Sequence, residues 1–262
     1  PGRALSAHSP MTENPVTACV LIIGNEILSG RTQDANLSFI ARNLNEHGIQ
    51  VREARTIPDD VDVIVSTLNA VRTQFDHVFT TGGIGPTHDD ITADCVARAF
   101  GVDLVMHPGI EARIRAFSAQ RGLSEDVLQS SLRMARVPEG GDLIETEVGA
   151  PGFTIGNVYV MAGIPGVMQS MLTLLLPKLE GARPVRSRSV GAYLGESMVA
   201  DRLSEIQDAN ADVDIGSYPF SEDGRYGTTL VVRGTDEARL EAVLEELRTL
   251  IVVHGAEPLD RS

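Results

Sequence analysis

Lysine is almost missing from this 262-residue chain: Lys178 is the only one, and every other cation is arginine. A phosphate-binding P-loop needs a lysine directly after its glycines, so that kind of nucleotide site is excluded. Cysteine is nearly as scarce. Cys19 and Cys95 are too few and too scattered for a disulfide framework or a paired-cysteine zinc site. Both lie within apolar patterns, as buried, inert thiols do. No apolar run approaches the roughly 20 residues that cross a bilayer, so a membrane partner is not expected. Positive charge is in deficit too, with 22 basic against 36 acidic residues and a formal net charge of −14. A surface of that sign repels nucleic acid and anionic lipid. The opening PGRALSAHSP lacks the apolar core of a signal peptide, and residues 1–16 read as a disordered lead or cloning remnant. A cytoplasmic protein is the expectation.

What is present is 42% hydrophobic, an ordinary share for a globular chain. TACVLII (17–23) is a short β-rich apolar run and reads as a buried strand. Asp34 or Asn36 can cap a helix whose Leu37, Ile40, Ala41 and Leu44 share a face, with Gly48 as its stop. A strand follows at 49–57, then a helix capped by Asp59 or Asp60 in which Val61, Ile64, Val65, Leu68 and Val71 keep helical spacing. A third strand lies at 77–81, and a helix spans 91–101 after a glycine-rich loop. This alternation predicts an α/β fold, a parallel sheet with helices on both faces. Beyond it, a strand at 102–106, helices near 109–121 and 124–135, and strands near 142–147 and 153–161 are expected. Residues 158–175 repeat the strand, glycine turn and helix. From about 180 the order becomes β-α-β-β-α, so a small α+β domain over 181–262 is expected after a larger one over 17–180.

The loop FTTGGIGPTHDD (79–90) raises the functional question. In a parallel sheet, loops leaving the carboxyl ends of the strands line the ligand crevice. Glycines permit positive φ and close approach of main chain to ligand. The amides of 82–85 and the N-terminus of the next helix offer donors to an anion, and Thr80, Thr81 and Thr87 add hydroxyls. A tight turn without a ligand is the plainer explanation. Asp89, Asp90 and Asp94 pose a puzzle, because carboxylates repel phosphate. Thr87 and Asp90 resemble a capping box, Asp90 and Asp94 fall on one helical face, and the helix dipole alone favours acids in a first turn. They also suit a hard divalent cation, Mg, Mn or Co, which bridges carboxylates and substrate phosphates. Asn25 and Glu26 after the first strand, Asp59 after the second, and Gly163 and Pro165 after a later one should reach the same rim. Glu26 as a solvated turn residue and Asp59 as a simple cap remain open. His88 lies in the loop, and the histidines and serines show no nucleophile triad.

GNEILSGRTQDAN (24–36), PDD (58–60), TTGGIGPTHDDIT (80–92) and MAGIPGVM (161–168) together resemble the molybdopterin-binding MogA/MoaB-like fold. The nearest branch is the N-terminal part of CinA, the competence/damage-inducible proteins, also seen at the N-terminus of eukaryotic FAD synthases. The resemblance implies a three-layer α/β fold whose parallel sheet is mixed at its edge, and an anion pocket for a pterin phosphate or a nucleotide. It pairs Asp59 with Asp90, puts Gly82, Gly83, Gly85, Pro86 and Thr87 on phosphate, and matches Glu26, Asp34 and Asn36 to the family's first loop. It implies metal-dependent cleavage of the pyrophosphate of ADP-ribose or FAD. Molybdopterin binding or adenylyl transfer is the alternative, and a module that binds without turnover the third. The MogA-type branch more often carries arginine where this chain has Asp89, and Ala162 and Val167 stand where proline and glutamate are usual in CinA. Relatives form dimers or trimers, so a homo-oligomer, a dimer first, is expected.

Overall fold

A computed structural model describes residues 15–144, 146 and 151–260. Positions 1–14 of the expected lead, and 145 and 147 of the strand expected at 142–147, lie outside the described residues. The chain separates into two units, Pro1–Ala182 and Arg183–Ser262.

In the first unit, β1 (Val16–Ile23) is followed by a short helix α1 (Asn25–Leu28) and by α2 (Leu37–Glu46). Then come β2 (Ile49–Ile57), α3 (Val61–Val71), β3 (His77–Thr81) and α4 (Thr92–Phe100). β1 pairs in parallel with both β2 and β3. Because β1 is central, both its faces are buried, and its run is apolar throughout instead of alternating. Cys19, Leu21 and Ile23 face one core with Ile64 and Leu68 of α3 and Cys95 and Val96 of α4. Ala18, Val20 and Ile22 face a second core with Ile40 and Leu44 of α2. The edge strand β2 carries Arg52, Glu53 and Arg55, charges that blunt an unpaired edge.

The next segment holds β4 (Leu104–Met106), α5 (Pro108–Arg121), α6 (Glu125–Leu132) and β5 (Arg136–Pro138). β5 pairs antiparallel with β4 in a separate two-stranded ribbon. Sequence patterning missed β5, whose three residues are too short to show a period and end in proline. β6 (Asp142–Ile144), β7 (Gly152–Ile155), β8 (Val158–Met161) and α7 (Pro165–Leu175) complete the unit. The single strand expected at 153–161 is corrected to a hairpin, because Gly156 at φ +56° and Asn157 turn the chain between β7 and β8. Glycine in the left-handed region at the first turn position is what a two-residue hairpin uses. Asn157 locks the turn by donating its Nδ2 to the carbonyls of Arg72 and Phe75, at 3.0 and 2.9 Å. The sheet order is β2-β1-β3-β8-β7-β6, parallel as far as β8 and antiparallel beyond it. Met168, Met171, Leu172 and Leu175 of α7 join the α2 core, which makes three layers.

The second unit runs β9 (Arg186–Ala192), α8 (Glu196–Ala209), β10 (Asp214–Glu222), β11 (Arg225–Gly234), α9 (Glu237–Val253) and β12 (Leu259–Asp260). Asp223 and Gly224, at φ 50° and 75°, form the hairpin turn that an Asp-Gly pair favours. Asp236 caps α9, accepting from the amides of Ala238 and Arg239 at 2.9 and 3.1 Å. The sheet order is β10-β11-β9-β12, and α8 and α9 cover one face through Val199, Ile206, Leu240, Leu244 and Leu247. No helix among the described residues is long and apolar enough to cross a membrane.

Phe79 is fully buried and stacks on Tyr159 across β3 and β8, with ring centroids 4.8 Å apart. Phe79→Ala is expected to destabilise the first unit by about 3–5 kcal/mol in urea denaturation. Burial pushes the Cys19 and Cys95 thiols up to about 11, so neither forms the reactive thiolate at neutral pH. Iodoacetamide should label both only after unfolding, which mass spectrometry would read directly.

Candidate functional site

The carboxyl ends of β1, β3 and β8 are held together by main chain with no side chains between. Gly82 N–H donates to Met161 O at 3.2 Å. A Cβ on Gly82 would stand 2.1 Å from Ile23 O, and its φ is +101°. A Cβ on Gly163 would lie 3.3 Å from Gly82 Cα. These contacts require glycine for packing reasons alone, so the glycines of this loop are not by themselves proof of a ligand. Gly83, at φ +68°, turns the chain over Thr92. Thr92 then ties the loop down: its hydroxyl donates to Gly82 O at 2.9 Å and its amide to Gly83 O at 3.0 Å. Thr92 was not singled out from sequence, although a hydroxyl at the start of the helix was the available signal.

With the loop fixed in this way, the amides of Gly83, Ile84 and Gly85 have no protein acceptor among the described residues. Three successive main-chain donors on one turn are thus left to meet an acceptor from outside the protein. Thr80 and Thr81 do not contribute hydroxyls there. Both are buried within β3, because that strand is covered on both faces, so Thr87 is the exposed hydroxyl of the loop. Pro86 is exposed beside it.

The carboxylates arrange themselves differently from the expectation. α4 begins at Thr92, with Ile91 as its N-cap and no side-chain cap. The Thr87–Asp90 pair is therefore a local turn and not a helix capping box. Asp90 Oδ2 accepts from the Thr87 amide at 2.8 Å and from its hydroxyl at 2.5 Å. The same hydroxyl lies 2.6 Å from Asp89 Oδ1, so one proton is shared between two neighbouring carboxylates. That contact holds the Asp89 carboxyl below the ordinary carboxylate range. Asp90 folds back over the loop, its Oδ2 standing 2.6 Å from where a Cβ of Gly85 would be. Asp90 and Asp94 do not share a helical face, since Asp90 precedes the helix. Asp94 is instead gripped by Arg136, with Nη2 to Oδ2 at 3.0 Å and Nη1 to Oδ1 at 3.3 Å. No group of three His, Cys, Asp or Glu suited to a metal occurs among the described residues. Asp94 is taken up by Arg136, so Asp89, Asp90 and Asp94 do not form the three-acid group expected for a metal.

The remaining site residues come from the neighbouring strand ends. Asp60 caps α3 through the amides of Asp62 and Val63, both at 3.0 Å. Asp59 is thereby left for the rim, where Oδ2 accepts from Asn25 N at 2.8 Å. Glu26 folds over Gly24, its Oε1 2.4 Å from where a Cβ on that glycine would be. Asn36, the N-cap of α2, makes no side-chain cap; Asp34 instead takes the amides of Asn36 and Leu37 at 3.3 and 2.9 Å. Asn36 reaches across the sheet edge to donate its Nδ2 to Gly163 O at 2.8 Å. Its Oδ1 is buried without a hydrogen-bond partner. Pro165 occupies the first turn of α7, and the exposed Ile164 stands beside it. His88 is exposed, 3.9 Å from Asp89.

A family model described as a probable molybdopterin binding domain matches residues 19–181, more than half of the chain. The chain belongs to this family. A second model, the middle domain of FAD synthase, matches residues 184–258. A CinA-like protein of Desulfosudis oleivorans is 36% identical, over 71% of this chain and 47% of its own length. A probable FAD synthase of Caenorhabditis elegans is 28% identical, over 94% of this chain and 52% of its own length. The chain therefore spans about half the length of these two relatives. The solved structure of CinA from Thermoplasma acidophilum, described there as of unknown function, superposes with a TM-score of 0.57 and 34% identity. That match covers 63% of this chain and 99% of the other. Within its family the chain lies on the CinA branch of the MogA-like fold.

Gly82→Ala forces a methyl against the Ile23 carbonyl at a left-handed backbone position. It is expected to cost about 2–4 kcal/mol in denaturant titrations.

Proposed function

We propose that the first unit binds the diphosphate of a dinucleotide on the glycine loop and hydrolyses it, with ADP-ribose or FAD as the substrate class. One observation carries this reading: three unused amides, Gly83 to Gly85, share a turn with the Asp90 carboxylate, with Asp59 at a nearby strand end. Amides bind phosphate oxygens without bringing charge of their own, so they suit an anion in an acidic chain. Asn25 N–H holds one oxygen of Asp59 and leaves the other to accept a proton from water. As that proton transfers, the water oxygen bonds to one phosphorus. The bond from that phosphorus to the bridging oxygen breaks, and the bridging oxygen departs with the second phosphate. ADP-ribose gives AMP and ribose 5-phosphate; FAD gives AMP and FMN. A positioned base of this kind contributes about 10²–10⁴-fold. A divalent cation, Mg, Mn or Co, is the cofactor this reading needs, and it supplies charge neutralisation on the diphosphate. Asp90 and Asp89 are the residues that would hold it.

The matches to the FAD synthase middle domain and to the CinA-like relative support this reading. A second reading follows from the family description: a pterin phosphate on the same amides, with molybdopterin as ligand. AMP release from ADP-ribose or FAD in the presence of each cation separates the two. Asp90→Asn and Asp59→Asn should each lower kcat/KM by about 100-fold or more while leaving the fold intact. No AMP from any dinucleotide with any of the three cations would end the pyrophosphatase reading, and pterin binding in its place would establish the second.

A further inference from the structure

The first unit has another concavity that this chemistry leaves unused. A cavity of about 640 Å³ lies between α3, α4, β4, α5 and α6, with Ile91, Met106 and Leu132 among its apolar walls and Arg115, Arg133 and Arg136 as its cations. Arg115 is neutralised by Glu111, at 2.8 Å from Nε and 2.7 Å from Nη2. Arg136 is neutralised by Asp94 at 3.0 Å. Arg133 has no acidic partner among the described residues, so three guanidiniums face two carboxylates. The Nε–H groups of Arg133 and Arg136 are both buried without an acceptor. A buried N–H without an acceptor is disfavoured, so both guanidiniums keep hydrogen-bonding capacity that the protein does not use. This concentration of positive charge stands out in a chain of net charge −14.

Position links the cavity to the glycine loop. Two of its lining residues are Val61 and Ile91, which directly follow Asp60 and Asp90 at the starts of α3 and α4. The cavity therefore reaches the same carboxyl edge of the sheet. We propose that it is a second anion subsite, taking a phosphate monoester on the ring-bearing end of a nucleotide whose diphosphate lies on the glycine loop. The subsite follows from the cavity itself, and its link to a diphosphate rests on the function proposed above. Guanidiniums suit phosphate because their planar forks donate paired hydrogen bonds. A monoester offers three acceptor oxygens to donors arriving from two arginines, and the apolar walls accommodate the ring beside it.

Isothermal titration of the full chain in metal-free buffer tests this without turnover, using ADP-ribose and its 2′-phosphorylated form as probes. The 2′-phosphorylated probe should bind about tenfold more tightly, the scale of a charge-assisted contact. Arg133→Gln should abolish that gain while keeping affinity for ADP-ribose, and Arg133→Lys, which retains the charge, should keep part of the gain. Asp90→Asn should preserve the gain, so the subsite stands even if no pyrophosphate is cleaved. Equal affinities, no binding of either probe, or a gain that survives in Arg133→Gln overturns the subsite and leaves the hydrolase assay to decide the other reading.

Discussion

Main chain pressed against main chain at the ends of three strands is the constraint from which the rest of the site follows. Gly82 lies so close to the Ile23 carbonyl, and Gly163 so close to Gly82, that β1, β3 and β8 converge without intervening side chains. Thr92 clamps the emerging loop by its hydroxyl and its amide. Amides 83–85 are consequently shaped by protein packing before any ligand arrives. Donors fixed in this way need no reorganisation on binding, and that preorganisation is where most of the electrostatic benefit of such sites originates. The buried Thr80 and Thr81 belong to this scaffold.

A chain this acidic must keep its own carboxylates apart, and the fold does so with short local contacts. Asp60 is occupied as the cap of α3 and Asp34 by the amides that lead into α2, and Asp94 is paired with Arg136. Asp59, Asp89 and Asp90 remain at the rim, each with one oxygen held by an amide or hydroxyl. Sorting the acids between structural and available roles required hydrogen-bond partners, because capping aspartates and functional ones share the same short side chain. PDD at 58–60 illustrates this: adjacent aspartates diverge, one to α3 and the other to the neighbouring strand end.

Much of the architecture was legible in the residue pattern. A continuous apolar run marked β1 because both of its faces are buried, and helical spacing marked α2 and α3 because each buries one stripe. The failures have equally physical causes. The β7–β8 hairpin looked like one strand because apolar residues continue on both sides of Gly156 and Asn157, and β5 was too short to carry a period. The capping-box reading of Thr87 and Asp90 failed because spacing cannot tell a first helical turn from an isolated one.

Local chemistry written in the chain, such as glycine where φ must be positive, aspartate where amides need an acceptor and apolar residues at the sheet's centre, determined the fold class and the loop that leads to the site. Which side chains meet was decided by tertiary structure. Asn36 reaches Gly163, and Arg136 holds Asp94, across dozens of residues of sequence. Such pairings depend on where packed helices and strands place their ends, and composition and spacing do not carry that information.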